Sequence, residues 1–483
     1  MSRARILITL ARRCVAVSLA CIGLAFASPA QGQSLWEYSP YEVRLLIAAE
    51  PSPQLSTASA ANVADSTAVR LQTLMGAAWH CSGALAAGPH AASLSQSLEE
   101  LTPERALLIA GGSENQLDKL YLAALAWQDG QFQIALREFD CRTQQLGPLA
   151  SRNVAQLPML PAALEDLVLN SFTPLARIET VTDQQVTARL RAGALATTAS
   201  SYILVEPGSV LRPIIRRTER KGQSDAQEIP WTLLDVTARN DSLLDCTLYS
   251  GYRAAIPTRA SSRVDRLALL VRPHLPATRL TLRARDNPAK PLSYYEIHTR
   301  IEGTDKTELL GLTNLDGAID IPRTDAGLQL LFVRHGKQLL ARLPLVPGHH
   351  QSLTADLADD DLRLEAEGYT DALANRIVDL VARRELLAAR IRARLKENQT
   401  SEAQKLLDEF RKLETRNDLS RELEQTRQRL ASKDRLTQSR IDKLFADARQ
   451  LLQLRALGDE LLAQLTRDLT TASPTAAPLT SDK

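Results

Sequence analysis

Seven histidines, two clusters of like charge and a few cysteines are the places in this 483-residue chain where chemistry could start. Trp79-His80-Cys81 sets two soft metal ligands side by side. Adjacent side chains on a helix point about 100° apart and rarely chelate one ion, so the run reads as a buried helix end. His349-His350 follows Pro347-Gly348 and reads as a surface turn. Asp356, Asp359, Asp360 and Asp361 gather oxygens of the kind calcium prefers. The alternating ligands, central glycine and closing glutamate of a calcium loop are missing there. A solvated linker or a helix N-terminus, where acids suit the dipole, is expected instead. Arg216, Arg217, Arg220 and Lys221 form the densest basic patch, between strand-like runs. It could meet an acidic surface polymer, but reads first as a solvated hairpin tip.

The familiar catalytic arrangements are absent from the sequence. It has no Gly-x-Ser-x-Gly nucleophile elbow and no His-Glu-x-x-His zinc helix. It also lacks the Gly-x-x-x-x-Gly-Lys-Ser/Thr and Gly-x-Gly-x-x-Gly loops that cradle phosphates. No catalytic residue can be named, and no cofactor or metal site is expected. The chain reads as a non-catalytic protein. The competing reading is a secreted hydrolase, acting on polysaccharide, whose two carboxylates stand far apart in sequence and about 5–9 Å apart in space.

The compartment is easier to read. Arg3, Arg5, Arg12 and Arg13 give a basic start with no acids, and an apolar run of 14 residues follows from Cys14 to Ala27. Ala25-Phe26-Ala27 and Ser28-Pro29-Ala30 offer small residues at the spacing a signal peptidase reads. The run is shorter than the roughly 20 residues of a membrane span. A signal peptide over residues 1–30 is expected, and with it a periplasmic or extracellular location. Arg12-Arg13 matches a folded-export signal poorly, and Ser18 stands where a lipidation site at Cys21 would need a branched apolar residue. Losing those four arginines leaves 54 basic against 56 acidic residues, a net charge of −2. A nucleic-acid partner would call for a basic excess, so none is expected. No later segment is apolar enough to span a bilayer. Cys81, Cys141 and Cys246 allow at most one internal disulfide, and three buried small apolar residues explain them equally well.

The elements that would position any site change character along the chain. Trp36 to Ala49 reads as a strand, closed by Glu50-Pro51-Ser52-Pro53. An alanine-rich stretch from about Leu55 to Ala86 carries Val69, Leu71, Leu74 and Ala78 at helical spacing. Thr102-Pro103-Glu104-Arg105 starts another helix. Lys119–Trp127 and Phe132–Cys141 form a hairpin about Asp129-Gly130, apolar on both faces and so buried on both. Leu160 to Phe172 reads as an amphipathic helix. Strand-like runs then recur at Ala176–Val181, Gln185–Leu190, Tyr202–Val205, Val210–Ile215, Trp231–Val236, Leu243–Tyr249 and Arg266–Val271. From Thr278 to Leu357, strand pairs are expected about Asn314-Leu315-Asp316-Gly317 and Arg334-His335-Gly336-Lys337. No proline falls in the 126 residues from Gly348 through Ser473. Apolar stripes there (Leu373, Ile377, Leu380, Leu387, Ile391 and onward) lose register at Asn398-Gln399-Thr400 and near Asn417. Those breaks favour at least three helices folded as hairpins over one unbroken coiled coil. Ser401-Glu402-Ala403-Gln404 fits a capping box.

Two resemblances add to this. Leu309-Leu310-Gly311-Leu312-Thr313-Asn314-Leu315-Asp316-Gly317-Ala318-Ile319-Asp320-Ile321 resembles transthyretin-like or carboxypeptidase-regulatory β-sandwich modules. That likeness covers about 80 residues and implies a seven-stranded structural or binding appendage without catalytic residues. Trp36 to Arg44, Arg137-Glu138-Phe139-Asp140 and Glu402 to Leu407 together resemble uncharacterised exported proteins of planctomycete-type bacteria. That likeness implies a compartment and no chemistry. The expected architecture is α+β and multidomain. A mixed α/β region spans 35–172, a β-rich region 174–275 and a β-sandwich 278–357. A helical bundle or coiled coil spans 366–470, and a disordered tail 471–483. An unknown protein or cell-envelope partner is expected on the C-terminal helices.

Overall fold

The computed structural model describes residues 35–472, apart from 89–90, 92–93, 95–97, 113–115, 198–200, 221–223, 253–254, 259–262, 301–305, 326 and 455–458. The expected signal peptide lies outside the described residues, as does all of the expected tail beyond residue 472. The chain forms two compact units, together α+β and multidomain. The first runs to Thr278 and takes in Pro322–Leu330 and Leu343–Gln351; the second holds Arg279–Ile321, Leu331–Arg342 and Ser352–Lys483.

The first unit opens with a parallel arrangement. Strand β1 (Tyr41–Ala49) lies between β2 (Trp79–Leu85) and β3 (Lys119–Gln128), parallel to both. Helix α1 (Thr57–Met75) makes the connection from β1 to β2, capped by the Ser56 side chain. The helix therefore ends at Met75, well short of the expected Ala86, and Trp79-His80-Cys81 begins a strand. At Gly76 (φ 59°) the chain takes a turn suited to glycine. Gly83 then lets the strand run against the helix backbone, where a Cβ would meet the Ala64 carbonyl oxygen at 2.3 Å.

The predicted hairpin is β3 with β4 (Gln131–Asp140), turning at Asp129 and Gly130, both at positive φ. Strands β5 (Gln145–Leu146) and β6 (Ala150–Val154) both pair with β4. Both faces of β3 are buried. Tyr121, Ala123 and Leu125 pack with α1 and α3 (Leu160–Ser171). Leu120 and Leu122 pack with Leu94, Leu98 and the short helix α2 (Pro103–Ala110).

The strands that follow close on themselves. β7 (Leu175–Thr182), β8 (Gln185–Leu190), β9 (Val210–Thr218), β10 (Ser224–Glu228), β11 (Thr232–Asn240), β12 (Leu243–Ser250) and β13 (Val264–Leu270) form one antiparallel sheet. Its order is β10-β9-β11-β12-β8-β7-β13, and β13 also pairs with β9. Six strands thus close into a barrel, with β10 added outside the ring. Val186, Ala188, Leu234, Val236, Leu244 and Cys246 are among the side chains that fill it. The run expected as a strand at Tyr202–Val205 is instead a 3₁₀ turn over Ser201–Ile203. Its Ile203 packs with the α/β core and Val205 with the barrel core. Arg216 and Arg217 lie within β9, opposite Ala226 and Asp225, not at a hairpin tip.

In the second unit, β14 (Ala277–Ala284) pairs with β15 (Asn287–Pro291), β18 (Ala318–Pro322) and β21 (Ser352–Leu357). β17 (Thr307–Leu312), β16 (Glu296–Arg300), β19 (Gln329–His335) and β20 (Gln338–Leu345) form another four-stranded sheet in that order. The turn at Asn314–Gly317 therefore does not close a hairpin: the strands flanking it, β17 and β18, belong to different sheets. Asn314 Oδ1 holds the turn by accepting from the Asp316 and Ala318 amides.

Five helices complete this unit: α4 (Asp361–Lys396), α5 (Thr400–Arg411), α6 (Arg416–Arg429), α7 (Arg435–Leu454) and α8 (Asp459–Ala472). The breaks fall where register is lost, with Asn398 at positive φ. The capping box is at Thr415 and Asp418, whereas α5 begins at Thr400 behind a Gln399 whose side chain makes no cap bond. One half of the α4 stripe (Leu373, Ile377, Leu380) packs with Leu419 and Leu423 of α6 and Ile441 and Phe445 of α7. The other half (Leu387, Ile391) packs with Leu407 and Phe410 of α5 and Leu465 of α8. These are folded-back helices within one chain, not a rod.

Candidate functional site

Two places in the first unit concentrate ionisable groups. One is a buried ionic network where β3 and β4 meet. Hairpin register sets Lys119 opposite Asp140 and Tyr121 opposite Glu138, all on one face. The Lys119 ammonium is fully buried, 2.5 Å from Glu138 Oε1 and 2.8 Å from Asp140 Oδ2. It also donates to the Thr173 carbonyl at 2.6 Å. Glu138 accepts in addition from the Thr173 amide (3.0 Å), the Thr173 hydroxyl and the Tyr121 hydroxyl (3.2 Å). Asp140 Oδ1 accepts from the amide and hydroxyl of Thr143, both at 2.7 Å.

The neighbouring Asp118, also buried, takes the Arg142 and Arg191 guanidiniums at 2.7 Å each and the Glu42 amide at 2.9 Å. Arg191 lies over the Trp36 and Tyr41 rings. Burial pushes the Glu138 carboxyl above its ordinary range, because it outweighs the pull of Lys119 and Thr173. For Asp140 the balance is reversed: burial raises it, but Lys119 and Thr143 together hold it below that range. The two carboxyls are thus unequal, as in an acid/base pair. Yet Glu138 is engaged on both oxygens by fixed donors, and Asp140 is enclosed between Lys119 and Thr143.

The second place is a cavity of about 330 Å³ beside this network, whose wall includes Glu138 and Thr173. Basic groups dominate its polar lining: Arg137, Arg212, Arg272, His274, His349 and His350. The Arg212 guanidinium, 6% exposed, donates to Glu228 at 2.8 Å, and its Nε has no hydrogen-bond partner among the described residues. Arg137 donates to four backbone carbonyls, those of Leu98, Glu99, Leu101 and Gly147. Arg272 donates to the Phe172 carbonyl at 3.0 Å.

His349 and His350 do sit in a turn, but they wall this cavity, with ring centroids 4.3 Å apart. Neither ring nitrogen of His349 has a hydrogen-bond partner of good geometry among the described residues. Burial, then Arg212 and His350, lower its pKa to about 3, so the ring is neutral at ordinary pH. Glu228, half-buried, is held at about 2: burial would raise it, and His350 and Arg212 outweigh that effect.

The other residues singled out from sequence scatter. His80 is exposed on β2 and pairs with Glu42 at 2.8 Å. Cys81, Cys141 and Cys246 are unbridged, and burial raises all three thiols, Cys81 and Cys246 to about 12. Of the acidic cluster, Asp356 is in β21, and Asp359 and Asp361 flank Lys290 at 2.5 and 2.8 Å. Asp360 is not solvated: it is fully buried, with Arg363 Nε 2.8–2.9 Å from its two oxygens. Arg363 reaches on to the His335 carbonyl. Among the described residues, no three His, Cys, Asp or Glu side chains gather as metal ligands.

The buried network was findable from sequence. Once Asp129-Gly130 fixes the turn, position 119 must face 140 and position 121 must face 138. The cavity was not, because its walls come from β4, β5, β9, β13, the start of α2 and the turns that carry Thr173, Arg272 and His349.

No protein-family model matches the chain, and no curated protein matches it. Among solved structures, the crystal structure of TolB from Acinetobacter baumannii aligns over 66% of this chain and 96% of its own, at 9% identity and a TM-score of 0.18. No described helix is long and apolar enough to cross a membrane.

Proposed function

We propose that this is an exported, non-catalytic binding or structural protein of the cell envelope or its surroundings. One observation carries the non-catalytic reading. The carboxylates with the unequal environments of an acid and a base, Glu138 and Asp140, are locked by Lys119, Thr173, Tyr121 and Thr143. A general acid must reach a substrate proton through an available oxygen, and these oxygens serve the fold. Export rests on the basic and apolar pattern of residues 1–30. The eight-stranded region from β14 to β21 supports the transthyretin-like reading of a rigid appendage, although that likeness implies seven strands. The C-terminal helices consume their apolar stripes internally, so an envelope or protein partner would meet their charged outer faces.

The test is a turnover screen. The purified chain is incubated with a panel of polysaccharides and chromogenic glycosides, beside a Glu138→Gln variant. No turnover by either is expected. Turnover by the wild type that disappears in a folded Glu138→Gln protein would establish the hydrolase reading instead.

A further inference from the structure

The cavity walled by Arg212 and His349 has an imbalance of charge that its own residues do not correct. Arg137 and Arg272 donate only to backbone carbonyls, and neither forms an ion pair among the described residues. Arg212 shares one carboxylate, Glu228, with His350, whose Nε2 is 3.7 Å from it. The carboxylate in the wall itself, Glu138, is saturated by Lys119, Tyr121 and Thr173. Arg272 and His274 also border an adjoining cavity of about 580 Å³, which adds Arg323. Arg212 is buried, and Arg137 and Arg272 are half-buried; burial lowers the pKa of Arg137 below its ordinary value, and the field of Glu99 opposes it. A guanidinium held without its counter-charge is costly, and an oxyanion placed beside it recovers charge-assisted hydrogen bonds.

His349 supplies the second, independent observation. Its neutral ring carries one N–H donor, and both nitrogens are buried with no partner of good geometry, the Arg272 backbone carbonyl being near the ring but off the hydrogen-bond angle or distance. A buried donor of that kind costs stability unless an acceptor is brought to it. Leu101, Leu146, Leu269 and Leu270 complete the lining with apolar surface. The volume falls at the small end of ligand pockets.

We propose that this cavity binds a small organic oxyanion, a carboxylate or phosphate on a compact apolar group, between Arg137, Arg212, Arg272 and His349. Arg212 and Arg272 supply charge, His349 donates a neutral hydrogen bond, and the leucines take the apolar end. Glu138 and Glu228 in and beside the wall disfavour polyanions and set the capacity at one charged group. This goes beyond the function proposed above and does not depend on it.

The probes are butyrate, butyl phosphate and inorganic phosphate, with chloride as control, titrated calorimetrically into the purified full chain at constant ionic strength. Saturable one-to-one binding by at least one oxyanion is expected, and the tightest probe tells carboxylate from phosphate. His349→Leu, which removes at most a weak contact with the Arg272 backbone, should weaken it tenfold or more. In the wild type, the imidazole nitrogen resonances of His349 should move with the same saturation curve, a reading that does not rely on the variant folding. No binding tighter than a Kd of about 1 mM overturns the proposal, as does binding that His349→Leu leaves unchanged or that shifts no His349 resonance. Turnover of butyl phosphate would refute the non-catalytic reading while confirming the site.

Discussion

Replacing Lys119 with methionine tests the buried network most directly. The ammonium is fully buried between Glu138 and Asp140, and its pKa stands above the ordinary value, because the two carboxylates outweigh the effect of burial. Methionine fills similar space and removes the charge, leaving two buried carboxylates with only neutral donors. Breaking such a pair from one side costs about 3–5 kcal/mol. For a unit of this size that lowers Tm by roughly 10 °C. Removing all three charges, as Lys119→Met with Glu138→Gln and Asp140→Asn, leaves no uncompensated ion and should recover most of the loss.

The pH dependence fixes the cause. In the wild type the folded-state pKa of Asp140 is depressed, so its contribution is present above about pH 4 and lost as pH falls through the folded value. Without Lys119 both carboxyls shift upward. The folded state then holds more protons than the unfolded chain, and stability falls as pH rises past about 4. The deficit of Lys119→Met should therefore be largest at neutral pH and shrink towards pH 4. Urea unfolding followed by tryptophan fluorescence measures it, since Trp79 is fully buried in the adjoining core. A loss under about 1 kcal/mol at pH 7, or one that does not change with pH, would refute the reasoning.

Three further outcomes are expected. Gly83→Val should cost about 1–3 kcal/mol or more, because a Cβ at this position meets the Ala64 carbonyl oxygen at 2.3 Å, a backbone atom of α1 that cannot turn away; thermal unfolding checks it. Phe445→Ala should cost about 3–5 kcal/mol, because the ring is buried with Leu373 and Leu419 and stacks with Tyr369. Size-exclusion chromatography of the same variant and of the wild type should show the same molecular size, and an elongated dimer in the wild type would contradict the folded-back helices. The exported protein should begin between residues 28 and 34, which intact-mass spectrometry of the protein from its native source decides; an intact Met1 would refute export by a cleaved signal.

The sequence by itself determined what depends on neighbours along the chain. Asp129-Gly130 specified both a turn and, through strand register, the pairing of Lys119 with Asp140. Apolar side chains on both faces of the Lys119–Cys141 hairpin announced the burial of both faces of β3. Loss of stripe register at Asn398 and Asn417 announced folded-back helices, because a left-handed residue and a shifted stripe are local facts. Other features depend on which strand finds which. The helical reading of the alanine-rich stretch to Ala86 ran on through β2, whose residues are set as a strand by pairing with β1. β17 and β18 look like a hairpin about Asn314–Gly317, but β17 pairs with β16 and β18 with β14, in different sheets. Closure of the barrel rests on the single pairing of β13 with β9, across some 50 residues. The candidate site belongs to this second kind. His349 and Arg212 are 137 positions apart; no period or motif joins them, and only packing places them in the wall of one cavity, where burial and mutual charge set their protonation.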